Sequence, residues 1–332
     1  MTTNAITCIL TPATGGDLSL TFGSIYSRVS DYLGTGLSPA GEDLTRAKLY
    51  AMDGYRQFLM GIDPRTGRAY QWGFLVPSAT LNLLPSSTAG GTMTVTSQTT
   101  ITDSTTAPFL HEMIGRTVKA TASGNEYTIV RYIDATQVVV ATDATADDGD
   151  DFTIELGTYA EYALPDDFGA MVQDPVFAPR DVSVKLVPRS PGMVRGMYAG
   201  AGMQAGYPQY YATYPAPLAL GGSAWRMLVW PIPLRAYSME YRYRVNPSVL
   251  TGDSDVPLGG PMMIEAIIAS ALAMAENRHN ERIGEKSAAF KELMAAAIDL
   301  DAANRPAISG PMTDSSDLPV FRYNRRPGGV TY

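Results

Sequence analysis

One helical pattern constrains this chain more than any other part of it. From Pro261 to Asn304, apolar side chains recur at helical spacing, including Ile264, Ile267, Ile268, Ala271, Leu272, Ala275, Ile283, Phe290, Leu293, Ala297 and Leu300. One straight helix of that extent would run roughly 65 Å. That exceeds the width of a small domain, so the helix is expected to bend or to pack on something else, and Gly284, a weak helix former, marks the expected bend. Asn304-Arg305-Pro306 closes the pattern. Residues 305–332 then lack periodicity and read as an extended arm, with Arg305, Arg322, Arg325 and Arg326 set against Asp314 and Asp317. The arm is therefore +2 on a chain of net charge −8, and Phe321, Tyr323 and Tyr332 are apolar anchors for a partner's groove. A long helix that leads only to an arm suits an assembly component better than a catalyst.

The rest of the chain reads as α+β. Phe22, Ile25, Val29 and Leu33 fit a short helix over 17–33. A second helix is expected from Ser38 as N-cap and Pro39 at the first position to Met60, with Glu42 and Asp43 in its first turn and Gly61 as its stop. An extended segment follows from Trp72, and Thr80-Leu81-Asn82-Leu83 alternates as a strand. Between about 86 and 157 the composition shifts to Thr and Val. Five short strands are expected there, at 93–95, 117–120, 127–132, 138–141 and 152–156, forming a small inserted barrel or sandwich. Its expected core is Val95, Phe109, Ile114, Val118, Tyr127, Ile129, Val138, Val140, Phe152 and Ile154. Further strands are expected at 182–187, 225–230 and 237–245. Gly192 to Gly222 shows no periodicity and reads as a long loop, whose Tyr207, Tyr210, Tyr211 and Tyr214 would form a contact surface. The expected divisions are thus 1–85, 86–157, 158–256, 257–304 and 305–332.

Composition narrows the function classes. Only 17% of residues are charged, while Tyr (19) and Gly (31) are plentiful, the balance of a protein that buries large surfaces against partners. The negative charge argues against gripping nucleic acid by its phosphates and suits a surface past which DNA slides. The single Cys8 excludes an internal disulfide and a thiolate zinc cage. No apolar run spans a bilayer and no signal peptide is evident, so a soluble protein made in a cytoplasm is expected, with no membrane partner.

Chemistry finds little material. His111 and His279 lie in no metal-ligand spacing, and no nucleophile elbow or phosphate-cradling loop occurs. The acidic run Asp143–Asp151 fails as a calcium loop, because its sixth place is Asp148 rather than Gly and its twelfth is Ile154 rather than Glu. Asp166 and Asp167 are adjacent in extended chain and point apart, so a turn is preferred to a carboxylate pair. No catalytic residue, metal site or cofactor is expected.

Taken in order, several segments resemble the head-to-tail connector (neck) adaptors of tailed bacteriophages. They are Gly54-Tyr55-Arg56-Gln57-Phe58-Leu59, Trp72-Gly73-Phe74-Leu75-Val76-Pro77, Tyr162-Ala163-Leu164-Pro165-Asp166-Asp167-Phe168, Leu228-Val229-Trp230-Pro231-Ile232-Pro233 and Tyr241-Arg242-Tyr243-Arg244 before the Ala/Glu-rich helix. The resemblance covers most of the chain. It implies a non-enzymatic virion protein that forms a homo-oligomeric ring of twelve copies beneath the portal protein, with genomic double-stranded DNA leaving through the lumen. It also implies that the arm, at Arg305, Phe321, Arg322, Tyr323, Arg325, Arg326 and Tyr332, docks on the portal, and that tail, stopper or nozzle proteins meet the other face. A tail-side ring (stopper, terminator or nozzle) is the alternative within virions. A capsid decoration, a glycan- or receptor-binding module and an enzyme are the more distant ones.

Overall fold

The structure is a computed structural model that describes residues 20–103, 105–178, 185–216, 225–280 and 284–304. In chain order its elements are α1 (Phe22–Tyr32), α2 (Gly41–Met60), β1 (Ser78–Leu83), β2 (Ser87–Thr92), β3 (Thr94–Ser97), β4 (Thr100–Thr102), β5 (Thr117–Ala120), β6 (Glu126–Asp134), β7 (Gln137–Val140) and β8 (Asp151–Glu155). There follow β9 (Glu161–Ala163), β10 (Phe168–Phe177), β11 (Val187–Pro188), α3 (Pro191–Ala201), β12 (Ala205–Gly206), β13 (Tyr210–Pro215), β14 (Trp225–Trp230), β15 (Ile232–Pro233), β16 (Tyr237–Val245), α4 (Ile264–Asn280) and α5 (Glu285–Asn304).

The expected continuous C-terminal helix is instead two helices, α4 and α5, folded back on each other. The sequence carries the reason. Between Ala275 and Ile283 every side chain is polar, so nearly two turns have no apolar stripe to bury, and Gly284 follows at once. Glu276 then takes over the start of α5, accepting hydrogen bonds from the backbone N–H groups of Gly284 (3.2 Å), Lys286 (3.3 Å) and Ser287 (3.1 Å). At its far end Asp301 accepts from the Gly73 N–H (2.9 Å) and the Tyr70 hydroxyl (2.8 Å), which holds α5 against the turn after α2.

A helical core results. Phe22, Ile25 and Val29 of α1, Ala47, Ala51, Tyr55 and Phe58 of α2, and Ile264, Ile267 and Ala271 of α4 close around Trp72, with Met294, Ala297 and Ile298 of α5 added to it. Gly54 lets α2 and α4 touch at their backbones, because a Cβ there would collide with the Cα of Ala271. The start of α2 differs from expectation. Ser38 and Pro39 precede the helix and Ala40 stands at the cap without a side-chain hydrogen bond, whereas Gly61 ends the helix in the left-handed region as expected (φ 59°, ψ 42°). Trp72 leads into a 3₁₀ turn, Gly73–Leu75, rather than into extended chain.

The inserted segment forms one antiparallel seven-stranded sheet, in the order β2-β8-β5-β6-β7-β4-β3, and not a sandwich. Its two edge strands are joined by the single residue Met93, so the sheet is rolled until its edges meet, yet no strand pairing closes it into a barrel. Phe109, Ile114, Val118, Tyr127, Ile129, Val138, Val140, Phe152 and Ile154 are buried inside the roll, and Val95 packs at its margin. Two strands of the sheet lie outside the five that the sequence led us to expect. These are β2, which reads Ser-Thr-Ala-Gly-Gly-Thr, and β4, only three residues long.

The remaining strands build a three-stranded sheet, β1-β16-β10, a four-stranded sheet, β11-β13-β14-β9, and the short pair β12-β15. In β16, Tyr237, Met239, Tyr241, Tyr243 and Val245 face inward, while Glu240, Arg242 and Arg244 face out, the period-two pattern of a half-buried strand. These sheets and the rolled sheet share one continuous core, running from Leu81 and Leu83 through Tyr162 to Val118 and Ile154. The expected loop 192–222 is corrected by α3 and by β12 and β13. Ser190 caps α3 at the Met193 N–H (3.3 Å) and Pro191 occupies its first turn, a start signal that the Gly-rich composition masked. Of the expected strand at 182–187, Val187 begins β11 and 182–184 lie outside the described residues.

Candidate interaction surface

The four tyrosines expected to form one surface occupy four different environments. Tyr211, on β13, is buried and its hydroxyl donates to Asp174 at 2.6 Å, so it is a core residue. Burial, with the Asp174 carboxylate, raises its pKa. Tyr210 packs on Trp230 (6.1 Å between ring centroids) beneath Arg189. Tyr214 lies under Arg195, 4.8 Å from its guanidinium, and burial pushes its hydroxyl up to about 12. Tyr207 alone is half exposed, beside Tyr237. Alternation along β13 turns Tyr211 to the face opposite Tyr210 and Tyr214, and Tyr207 precedes the strand. The arm residues Arg305, Phe321, Arg322, Tyr323, Arg325, Arg326 and Tyr332 lie outside the described residues, as does Cys8.

The acidic run between β7 and β8 is spent on turns. Asp143 accepts from the Thr145 N–H (2.9 Å), Asp148 from the Val95 N–H (2.8 Å) and Asp151 from the Thr92 hydroxyl (2.9 Å). Asp147 is buried and binds the Tyr127 hydroxyl and the Asn125 side chain. Among the described residues, no group of three or more His, Cys, Asp and Glu side chains is placed to hold a metal ion. His111 sits 3.5 Å from Asp166, and Asp167 accepts from the Tyr243 hydroxyl (2.9 Å), so the Asp pair splits between two partners. His279 is exposed in the last turn of α4. No described helix is long and apolar enough to cross a membrane.

A feature that the motifs did not signal lies where the rolled sheet joins the four-stranded one. A polar cleft of about 350 Å³ is lined by Gly115, Arg116, Thr117, Thr128, Leu156, Gly157, Thr158, Tyr159 and Glu161. Arg116 is 1% exposed. Its guanidinium donates to the carbonyls of Leu84 (3.1 Å) and Pro85 (2.9 Å) and lies over the Tyr162 ring at 5.6 Å. Among the described residues no carboxylate pairs with it, and its buried Nε–H has no acceptor. Burial accordingly lowers its pKa, and burial pushes the Tyr162 hydroxyl up to about 12. Beside it, Arg226 donates to the Ile114 carbonyl (3.0 Å) and lies so close over Gly115 that a Cβ there would displace its guanidinium. Glu161 stands 4.0 Å from Arg226 and 3.8 Å from Arg195, whose Nε–H is also buried without an acceptor. Two guanidinium groups thus share one carboxylate, and the third, Arg116, lies buried in the wall of the same cleft.

Charge is distributed unevenly along the chain. Residues 86–157 hold ten acidic side chains against three basic ones, a net −7 that nearly equals the −8 of the whole protein. On the helical side, a shallow concavity of about 1010 Å³ runs between the start of α2 and the end of α4, with Leu49 half exposed in it.

Acids spent on turns, tyrosines spent on packing and two concavities open at the surface suit a protein that acts by contact. The match to known families agrees: the SU10 adaptor protein family matches residues 110–314, more than half of the chain, and the chain belongs to that family. It is a phage adaptor protein, from a family whose role is structural. No curated protein matches it.

Proposed function

We propose that this adaptor is a ring component of the virion neck, seated beneath the portal protein and joining head to tail, with twelve copies around the DNA exit channel. The observation that carries the reading is the family match from residue 110 to 314, which takes in β5–β8 of the rolled sheet, β9–β16 and the α4–α5 hairpin. The concentration of −7 net charge in the rolled sheet supports a channel role, because carboxylates facing the lumen would repel the duplex phosphates rather than release counterions to bind them. Residues 305–332, with four arginines against two aspartates, supply the portal-docking segment through Arg305, Arg322, Arg325 and Arg326 and the anchors Phe321, Tyr323 and Tyr332. Tail, stopper or nozzle proteins meet the opposite face. The protein performs no catalysis in this role and binds no cofactor. Cryo-electron microscopy of the intact virion at the portal vertex tests it. A twelve-fold ring under the portal, with 305–332 traced along portal subunits, is the expected result. Density for this chain on the shell or at the distal tail overturns the reading and favours a decoration or tail-side ring.

A further inference from the structure

The Arg116 cleft and the acidic β7–β8 turn lie at opposite ends of the same sheet. Strand β8 runs from Asp151 to Glu155, with the acidic turn immediately before it and the cleft residues Leu156–Tyr159 immediately after. The pairing of Thr117 with Glu155 and of Ala120 with Phe152 puts β5 in the same frame, its first residue at the cleft and its last beside the acidic turn. The strand separates them by about 15 Å, and both are anchored to the rigid sheet. The Thr121 N–H donates to the Asp151 carbonyl (2.7 Å) at one end, and Arg116 binds the Leu84 and Pro85 carbonyls at the other. The two features therefore do not meet within one copy.

We propose that the cleft at Arg116 receives the carboxylates Asp148, Asp150 and Asp151 of a second copy of this chain, packed head to tail. A buried cation without a counter-ion is unfavourable, and a carboxylate held in the cleft over it is drawn by its charge. The cleft offers the hydroxyls of Thr117, Thr128 and Thr158 over the buried charge of Arg116, with the guanidinium groups of Arg195 and Arg226 in excess over Glu161 beside it. The incoming acids have capacity to spare, since Asp148 and Asp151 each accept a single described hydrogen bond and a carboxylate accepts about four. Because donor and acceptor surfaces are different patches, the contact is heterologous, and its repetition closes a ring or propagates a filament. The inference rests on the ring reading above and names the contact that would build the ring.

Charge reversal tests it in a phage lacking its own copy of this gene, complemented with full-length variants. Arg195→Glu puts a second acid beside Glu161 of the cleft, and Asp148→Lys with Asp151→Lys reverses the turn. Each variant alone is expected to reduce tailed particles at least about tenfold, the scale of a reversed interfacial charge pair. Co-expression of the two restores particles to within about threefold of wild type, since each Lys turn then meets a Glu cleft and each acidic turn an intact one. That restoration also excludes misfolding as the cause of the single defects. Two results overturn the contact while leaving the adaptor role standing: full particle yield from each variant alone, or loss that co-expression does not restore. Absence of the wild-type chain from purified particles overturns the adaptor role itself.

Discussion

The carboxylate of Glu276 accepts the backbone N–H of Ser287 at 3.1 Å, so a side chain near the end of α4 caps the helix that folds back beside it. Its carboxylate oxygens also take the Gly284 and Lys286 N–H groups. Burial opposes the charge of Glu276, but these three donors outweigh it and hold its pKa below the ordinary value. Replacing it by Ala removes acceptor and charge together and should lower Tm, with Gln intermediate because it keeps one acceptor oxygen. Thermal unfolding followed by circular dichroism is the check. Unchanged Tm in Glu276→Ala would show that the hairpin is held by the packing of Met294, Ala297 and Ile298 alone.

Gly54→Ala tests the crossing of α2 and α4. The added Cβ would strike the Cα and N of Ala271, backbone atoms that cannot swing aside. Spreading the helices would also strain the bond from the Ser270 hydroxyl to the Gly54 carbonyl (2.7 Å). A loss of about 2–3 kcal/mol is expected, against the slight gain that Ala brings at an open helical position. A denaturant titration that shows stabilisation would mean the helices can separate at no cost.

These two sites explain what the sequence disclosed and what it hid. The stripes of α1 and α2, the alternation of β16 and the inward residues of the rolled sheet were legible because burial on one face leaves a periodic trace. The hairpin was not, since a helical period says nothing about direction once the chain turns. Its signal was the polar gap from Glu276 to Arg282, which reads equally as a solvated face. Helix α3 was hidden by Gly192, Gly196 and Gly200, three residues that weaken any helix yet here leave the backbone regular. The cleft at Arg116 was illegible for a different reason. Its parts come from residues 115–117, 128 and 156–161, and only the β5–β6–β8 pairing brings them together.

Acid should weaken the rolled sheet. Asp103, Asp134, Asp143 and Asp147 all have pKa values below the ordinary 3.8. For Asp147 the Tyr127 hydroxyl is the main cause; for Asp103, burial opposes the charge and is outweighed by donors from Thr105 and Thr106. A depressed folded pKa means the stabilisation is complete above 3.8 and is lost as pH falls through the lower folded values. Tm should be level from neutral pH to about pH 5 and decline below about pH 4. Asp147→Asn should flatten that decline and lower Tm at neutral pH, because it removes the charged acceptor that binds Tyr127 and Asn125. A Tm that rises on acidification would contradict the assignment.

Deleting residues 305–332 separates folding from attachment. Among the described residues, both hydrophobic cores are complete before Asn304, and the last side chain seen to tie α5 to the rest is Asp301, through Tyr70 and Gly73. The truncated chain should therefore keep its circular dichroism spectrum and melt within a few degrees of the full-length protein. If the arm is the portal-docking segment, the same truncation should abolish head-to-tail joining in a complemented phage, leaving filled heads and free tails in electron micrographs. Replacing only Arg322, Arg325 and Arg326 with Ala should give a weaker form of the defect, and the attachment that remains should depend less on salt than that of the wild type, as expected when the exposed charge that carried part of it is gone. Wild-type yields of joined particles from the truncated chain would remove the arm from the attachment and shift that role to the surfaces of the folded part.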